Sequence, residues 1–208
     1  MPLAVYSASL PTDSAERAIR LARSSRYDKR DSVPFDKAPP DAIARNSINE
    51  WYLYLPALPT AESDAVVVGE VVGSRGYLSN DKTGAYSEFT ILLHSVFKDA
   101  RNSLLSGGSL TLEREGANVE LLDGRVIRYE IAYQGLPLKG LRYLFFLKYN
   151  KEGEDYSILT GYELRKGRVS PLDDAEHFAA YKNWDEEMFF NAVRQAAEQR
   201  ERAPRATR

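Results

Sequence analysis

Histidines and carboxylates are present in this 208-residue chain, but few stand at the spacing their chemistry requires. His94 and His177 are its two histidines, and neither has a second histidine at metal-ligand spacing. A Ser-His-Asp triad is arithmetically possible, yet no Gly-x-Ser-x-Gly elbow accompanies it. The cysteine count is zero, which removes disulfides, thiolate metal sites and cysteine nucleophiles. Gly107-Gly108 precedes a strand, but the Gly-x-x-x-x-Gly-Lys-Ser/Thr pattern and the following helix of a phosphate loop are missing. No cofactor or metal is implied. Carboxylates remain. Glu70 and Glu88 each sit in a strand-like run beside an apolar row. An antiparallel pairing could bring them together, and burial would then raise a pKa towards that of a hydrolase general acid. The plainer expectation is that both face the solvated side of a sheet.

Tyrosine is the unusual residue, with 13 copies, many on or beside predicted strands. A rigid ring with a polar tip suits ligand or protein contact, and it suits ordinary sheet packing equally well. Tyr77 and Tyr86 flank a turn containing Asn80, and Glu88 follows two residues later. Tyr77, Asn80, Tyr86 and Glu88 are therefore the candidate ligand-binding set. On a barrel such tyrosines could stack bases or sugars. Against the nucleic-acid version, 28 basic residues face 30 acidic ones, so the chain exerts no global pull on phosphate.

The elements that must position these residues are mainly strands. Ala65–Val72 is β-branched and apolar, as a buried strand should be. Tyr86–Phe97 has a period of two, with Phe89, Ile91, Leu93 and Phe97 on one face and Glu88, Thr90 and His94 on the other. Turn chemistry lies between, at Gly73–Gly76 and Ser79–Gly84. A short strand at Leu110–Arg114 follows. Val119–Tyr133 reads as a hairpin over a three-residue loop, Leu122-Asp123-Gly124, with Gly124 in the left-handed region and Val119 opposite Ile127. Tyr143–Leu147 is apolar throughout, so it is expected to be covered on both faces. Tyr156–Thr160 and a last hairpin over Lys166-Gly167 end the β region at Pro171.

Helices are expected at both ends. Thr12 or Asp13 caps a first helix reaching about Arg26, with Ala15, Ala18, Ile19 and Ala22 as its apolar positions. Arg17, Arg20, Arg23 and Arg26 recur every three residues, either as an anion contact or as a solvated face. Trp51–Pro59 is aromatic and fenced by proline, which fits a short edge strand or an extended segment lying over one end of the core. After Asp173 a short helical segment holds Phe178 and Tyr181. Asn183 then caps a longer helix with Met188, Phe189, Ala192, Val193 and Ala196 as its stripe.

The order Asp64–Val71, Tyr86–Thr90 with Val96-Phe97-Lys98, then Gly140–Leu147 resembles a group of uncharacterised bacterial proteins, many of them exported, built on an OB-like barrel. That barrel is similar to the netrin-like domain of tissue inhibitors of metalloproteinases. Those inhibitors chelate the target's zinc through an N-terminal cysteine. With no cysteine here that mechanism cannot transfer, and the resemblance implies fold rather than function.

The expectation is thus a mainly β protein with flanking helices (α+β), a small closed or partly closed OB-like β-barrel of about five to seven strands. Residues 1–62 would form a helix plus an extended Pro/aromatic-rich segment, 63–172 the barrel, and 173–208 the C-terminal helices. Its function is read as a non-catalytic module binding a protein, a glycan or a surface. A hydrolase using Glu70 or Glu88 is the alternative, and an OB-type nucleic-acid binder the third. No stretch approaches the roughly 18 apolar residues of a membrane span. Met1–Leu10 lacks the basic and apolar regions of a signal peptide, so the chain reads as cytoplasmic by default, or exported if a leader has been removed.

Overall fold

The computed structural model describes residues 1–48 and 50–202, of which 51, 52 and 199–202 by their backbone alone. In chain order, β1 spans Leu3–Val5, α1 Ser14–Ser25, β2 Ala44–Ser47, β3 Ala65–Leu78, β4 Ala85–Asp99 and β5 Ser109–Glu115. Then come β6 at Ala117–Glu120, β7 at Val126–Ile131, β8 at Arg142–Asn150, β9 at Asp155–Arg165, β10 at Arg168–Pro171 and α2 at Glu186–Arg202. The protein is mainly β with few helices, in two sheets. None of the described helices is long and apolar enough to cross a membrane.

The larger sheet has the order β10-β9-β5-β4-β3-β8, and β8 also pairs with β9. The pairings therefore run in a circuit, β3–β4–β5–β9–β8 and back to β3. All are antiparallel except β5–β9, which meets in parallel at Leu112↔Tyr156 and Glu113↔Ser157. One face carries Val67, Val71, Phe89, Ile91, Leu112, Phe145 and Ile158, packed together and buried. The opposite face of β3, β8 and β9 carries Val66, Val68, Phe146 and Tyr162, which pack against Phe178, Phe189 and Val193 from the C-terminal segment. Residues 143–147 of β8 are buried on both faces, as continuous apolarity implies.

The smaller sheet has the order β1-β6-β7-β2. The hairpin β6–β7 forms in the expected register, Val119 opposite Ile127, with Gly124 at φ 82°. Two strands counted towards the barrel thus lie in a second sheet instead. Its outer strands come from the N-terminal segment, β1 parallel to β6 and β2 parallel to β7. Phe35, Val119, Ile127 and Tyr129 form the core on this sheet.

Several local expectations are corrected. β3 does not turn at Gly73–Gly76 but runs on to Leu78, and the turn is confined to residues 79–84. The register shifts at Val71/Gly73, and Gly76 lies under β1, where a Cβ would come within 2.6 Å of the backbone of Leu3 and Ala4. These glycines serve a bulge and a close approach. The pairing also skips Phe97 and His94 of β4, and Phe97 consequently packs with the α2 cluster rather than with Phe89. Glu50–Tyr54 is a 3-10 turn, not an edge strand, and Leu55 just after it is buried. The cap of α2 is Asp185, whose Oδ1 accepts from the Glu187 and Met188 amides, while Asn183 stands at φ 65°. Met188 is exposed, and Phe190 packs against the core cluster beside Phe189.

Candidate ligand-binding cleft

α1 begins where the sequence predicts, with Asp13 accepting a hydrogen bond from the Glu16 amide at 2.9 Å. Its orientation is not the predicted one. Ala15 and Ala18 are exposed, and the arginine face is turned onto the larger sheet. Arg20 reaches Glu88 of β4 at 2.5 and 3.1 Å. Arg23 reaches Glu88 at 3.1 Å and Asp155 of β9 at 3.0 Å, and donates to the Gly153 carbonyl at 2.7 Å. Arg26 pairs with Asp155 at 2.9 Å and with Glu113 of β5. Arg17, at the start of the stripe, is exposed as a solvated face would be, whereas Arg20, Arg23 and Arg26 are neither solvated nor free to contact an anion.

Periodicity explains the match. Three helical residues rise about 4.5 Å, and neighbouring strands lie about 4.8 Å apart. β4, β5 and β9 are neighbours, Glu88 is registered with Glu113, and Glu113 with Ser157. Asp155 lies two residues before Ser157 on β9, and Asn150 bonds Glu113, Asp155 and Ser157 together, so the three acids form an oblique row across adjacent strands that arginines at every third residue can follow. Glu113 is fully buried; Ser157 donates to its carboxylate at 2.8 Å and Asn150 at 3.0 Å. Burial, and then the charge of Asp155, push its pKa up to about 7.

The candidate set falls at the β4 edge of this row. Tyr86 is paired with Tyr77 across the β3–β4 ladder and is fully buried. Its ring stacks between Tyr27 at 4.5 Å and Tyr77 at 5.6 Å, and its hydroxyl accepts from Arg20 at 2.8 Å. Burial raises the phenol pKa to about 12. The Arg20 guanidinium also lies 3.5 Å from the Tyr77 ring centroid. Glu88 is held behind Tyr86 by Arg20 and Arg23. Glu70 is half-buried, opposite Leu92 and Arg142, so the two glutamates are not brought together.

In front of these residues is a cleft of about 490 Å³, between β1, α1 and the β3–β4 hairpin. Tyr77 and Asn80 line it; Tyr86 and Glu88 do not. Asn80 Nδ2 donates to the Leu21 carbonyl at 3.0 Å, tying hairpin to helix. The hairpin turn is organised by Asp81, whose Oδ1 accepts from Ser79 Oγ, Thr83 Oγ1 and the Thr83 amide at 2.7, 2.6 and 3.0 Å. That leaves Lys82 at the tip, in the left-handed region at φ 59°, with its ammonium 4.0 Å from the Tyr6 ring centroid. The Arg75 guanidinium also lies 5.3 Å from the Tyr77 ring centroid. The cleft wall thus holds apolar side chains and the cations Arg20, Arg75 and Lys82, but no aspartate or glutamate.

A larger cleft of about 700 Å³ lies by Tyr133 and the loop after β7, and has the opposite character, with Glu115, Glu130 and Asp174 against Lys139. The histidines join neither. His94 is exposed, and the His177 ring lies 4.0 Å from that of Phe178, tilted by 46°, with its Nε2 unpartnered. Among the described residues no three His, Asp or Glu side chains are grouped to hold a metal. Glu113 and Asp155 were missed by sequence reasoning; the only available signal was an acid at alternate strand positions facing an arginine repeat. Compared with known proteins, the chain matches no protein-family model and no curated protein.

Proposed function

We infer that the chain is a non-catalytic ligand-binding module on an OB-like β-barrel, with the cleft between β1, α1 and the β3–β4 hairpin as its site. The strand circuit supports the barrel reading, because five strands in a Greek-key order are what an OB-fold uses. The binding reading is carried by the distribution of carboxylates. None lines the cleft that Tyr77 and Asn80 enter, and Glu88 is already bonded to two arginines. A general acid or base must lie within about 3 Å of the proton it moves. Glu113 has the raised pKa of such a group, but it is sealed under Arg26 and lines neither cleft.

The test is a thermal-shift panel of small ligands on the full chain and on Leu21→Trp, which fills the cleft from the partly exposed α1 surface. A ligand at one hundred times its Kd adds about 2.7 kcal/mol, roughly 5–10 °C for a chain of this size. Compounds that stabilise the native chain and not Leu21→Trp support the cleft. Equal shifts in both place binding elsewhere and refute it.

A further inference from the structure

We propose that the cleft takes a small amphiphilic anion: an aromatic or aliphatic body carrying one carboxylate, sulfonate or phosphate. This rests on the reading of the cleft as a ligand site and specifies its ligand class. The volume, about 490 Å³, lies within the roughly 300–1,000 Å³ of small-molecule sites. Its wall has two chemical halves. Leu3, Val5 and Leu10 are 40–45% exposed there, three apolar side chains on one short N-terminal stretch. A ligand body covering them would remove apolar surface from water that the fold itself leaves wet.

The other half is cationic. Arg20 is spent on Glu88, whereas Arg75, although registered opposite Glu88 across the ladder, and Lys82 form no ion pair among the described residues. Each is instead set against a tyrosine ring, Arg75 on Tyr77 and Lys82 on Tyr6. Such a contact orients the cation without neutralising it. Both cations line the cleft wall with N–H donors, so an anion entering the cleft can pair with them while its body covers the apolar half. The whole chain has a net charge of -2, and the other large cleft is lined by three acids, so this basic lining is local. A cationic ligand would meet like charge here and suits the second cleft better.

The experiment uses the full chain and two probes of similar shape, 8-anilinonaphthalene-1-sulfonate, which is anionic, and N-phenyl-1-naphthylamine, which is neutral. Fluorescence titrations are made on the native chain, on Arg75→Ala/Lys82→Ala and on Leu21→Trp, with the thermal midpoint of each variant checked first. Neither cation holds another element by an ion pair, so the double variant is expected to fold. The expected result is sulfonate binding at one site per chain, at least tenfold tighter than the neutral probe. Arg75→Ala/Lys82→Ala should weaken the sulfonate tenfold or more and leave the neutral probe unchanged, and Leu21→Trp should abolish both. If both probes bind alike and the double variant changes neither, the cleft stands as a ligand site and the anion class is refuted. If neither probe is affected by Leu21→Trp, the cleft reading itself fails. Added salt should weaken the sulfonate alone.

Discussion

Replacing Glu88 by alanine tests whether α1 is held by its arginines. The carboxylate accepts from Arg20 at 2.5 and 3.1 Å and from Arg23 at 3.1 Å, and the three side chains are only 11–16% exposed. Removing one partner of a buried pair costs about 3–5 kcal/mol when the remaining charge is left alone. Here it is not left alone. Arg20 keeps the Tyr86 hydroxyl and the Tyr77 ring, and Arg23 keeps Asp155 and the Gly153 carbonyl. The expected loss is therefore below that range, about 2 kcal/mol, a fall in thermal midpoint of about 4–8 °C for a chain of this size. Circular-dichroism melts of the native chain, Glu88→Ala, Arg20→Ala and the double variant would measure it. The double variant should lose less than the sum of the singles by about 1 kcal/mol or more, as directly bonded residues do. Hydrogen exchange should show the α1 amides opening faster in Glu88→Ala. The difference should survive 1 M salt, because the pairs are shielded from solvent. A midpoint within 1 °C of the native one, or strict additivity, would refute the idea that this row docks the helix.

Two further outcomes follow from the same geometry. Glu113 has its folded pKa pushed up to about 7 by burial and then by Asp155, above its unfolded value of 4.5. The folded chain therefore holds a proton that the unfolded chain releases, and this contribution is full below about pH 4.5 and lost as pH rises through 7. Glu113→Gln should flatten that part of the stability profile in urea titrations, gaining on the native chain between pH 5 and 8; a constant difference would contradict it. At Gly76 a Cβ would sit 2.6 Å from the β1 backbone, so Gly76→Val should push β1 off the sheet at a cost of about 1–3 kcal/mol. Limited proteolysis should then cut before residue 10, which an undisturbed β1 would resist.

Legibility followed the range of the interaction that decides each feature. Asp123-Gly124 and Lys166-Gly167 form the expected turns because a left-handed glycine acts within four residues. Residues 143–147 read correctly because burial on both faces leaves its mark on every residue of the strand. Gly73 and Gly76 misled for the converse reason. Their cause is a bulge against β4 and the passage of β1, contacts made by distant parts of the chain, and locally they look like turn residues. β1 and β2 are three and four residues long and pair in parallel with strands far along the chain, so no hairpin turn announces them. The arginine stripe is the sharpest case. An every-third-residue repeat is visible in the sequence, as are Glu88, Glu113 and Asp155, but they lie on three strands. Only the order β4-β5-β9 makes those acids neighbours. A charged helix face reads as solvent-exposed until sheet order is known; once it is known, the match between helical rise and strand spacing makes the same face a docking surface. The cleft inherits this dependence. Arg20 and Leu21 are brought to the hairpin bearing Tyr77 and Asn80 because neighbouring arginines on α1 meet the acidic row.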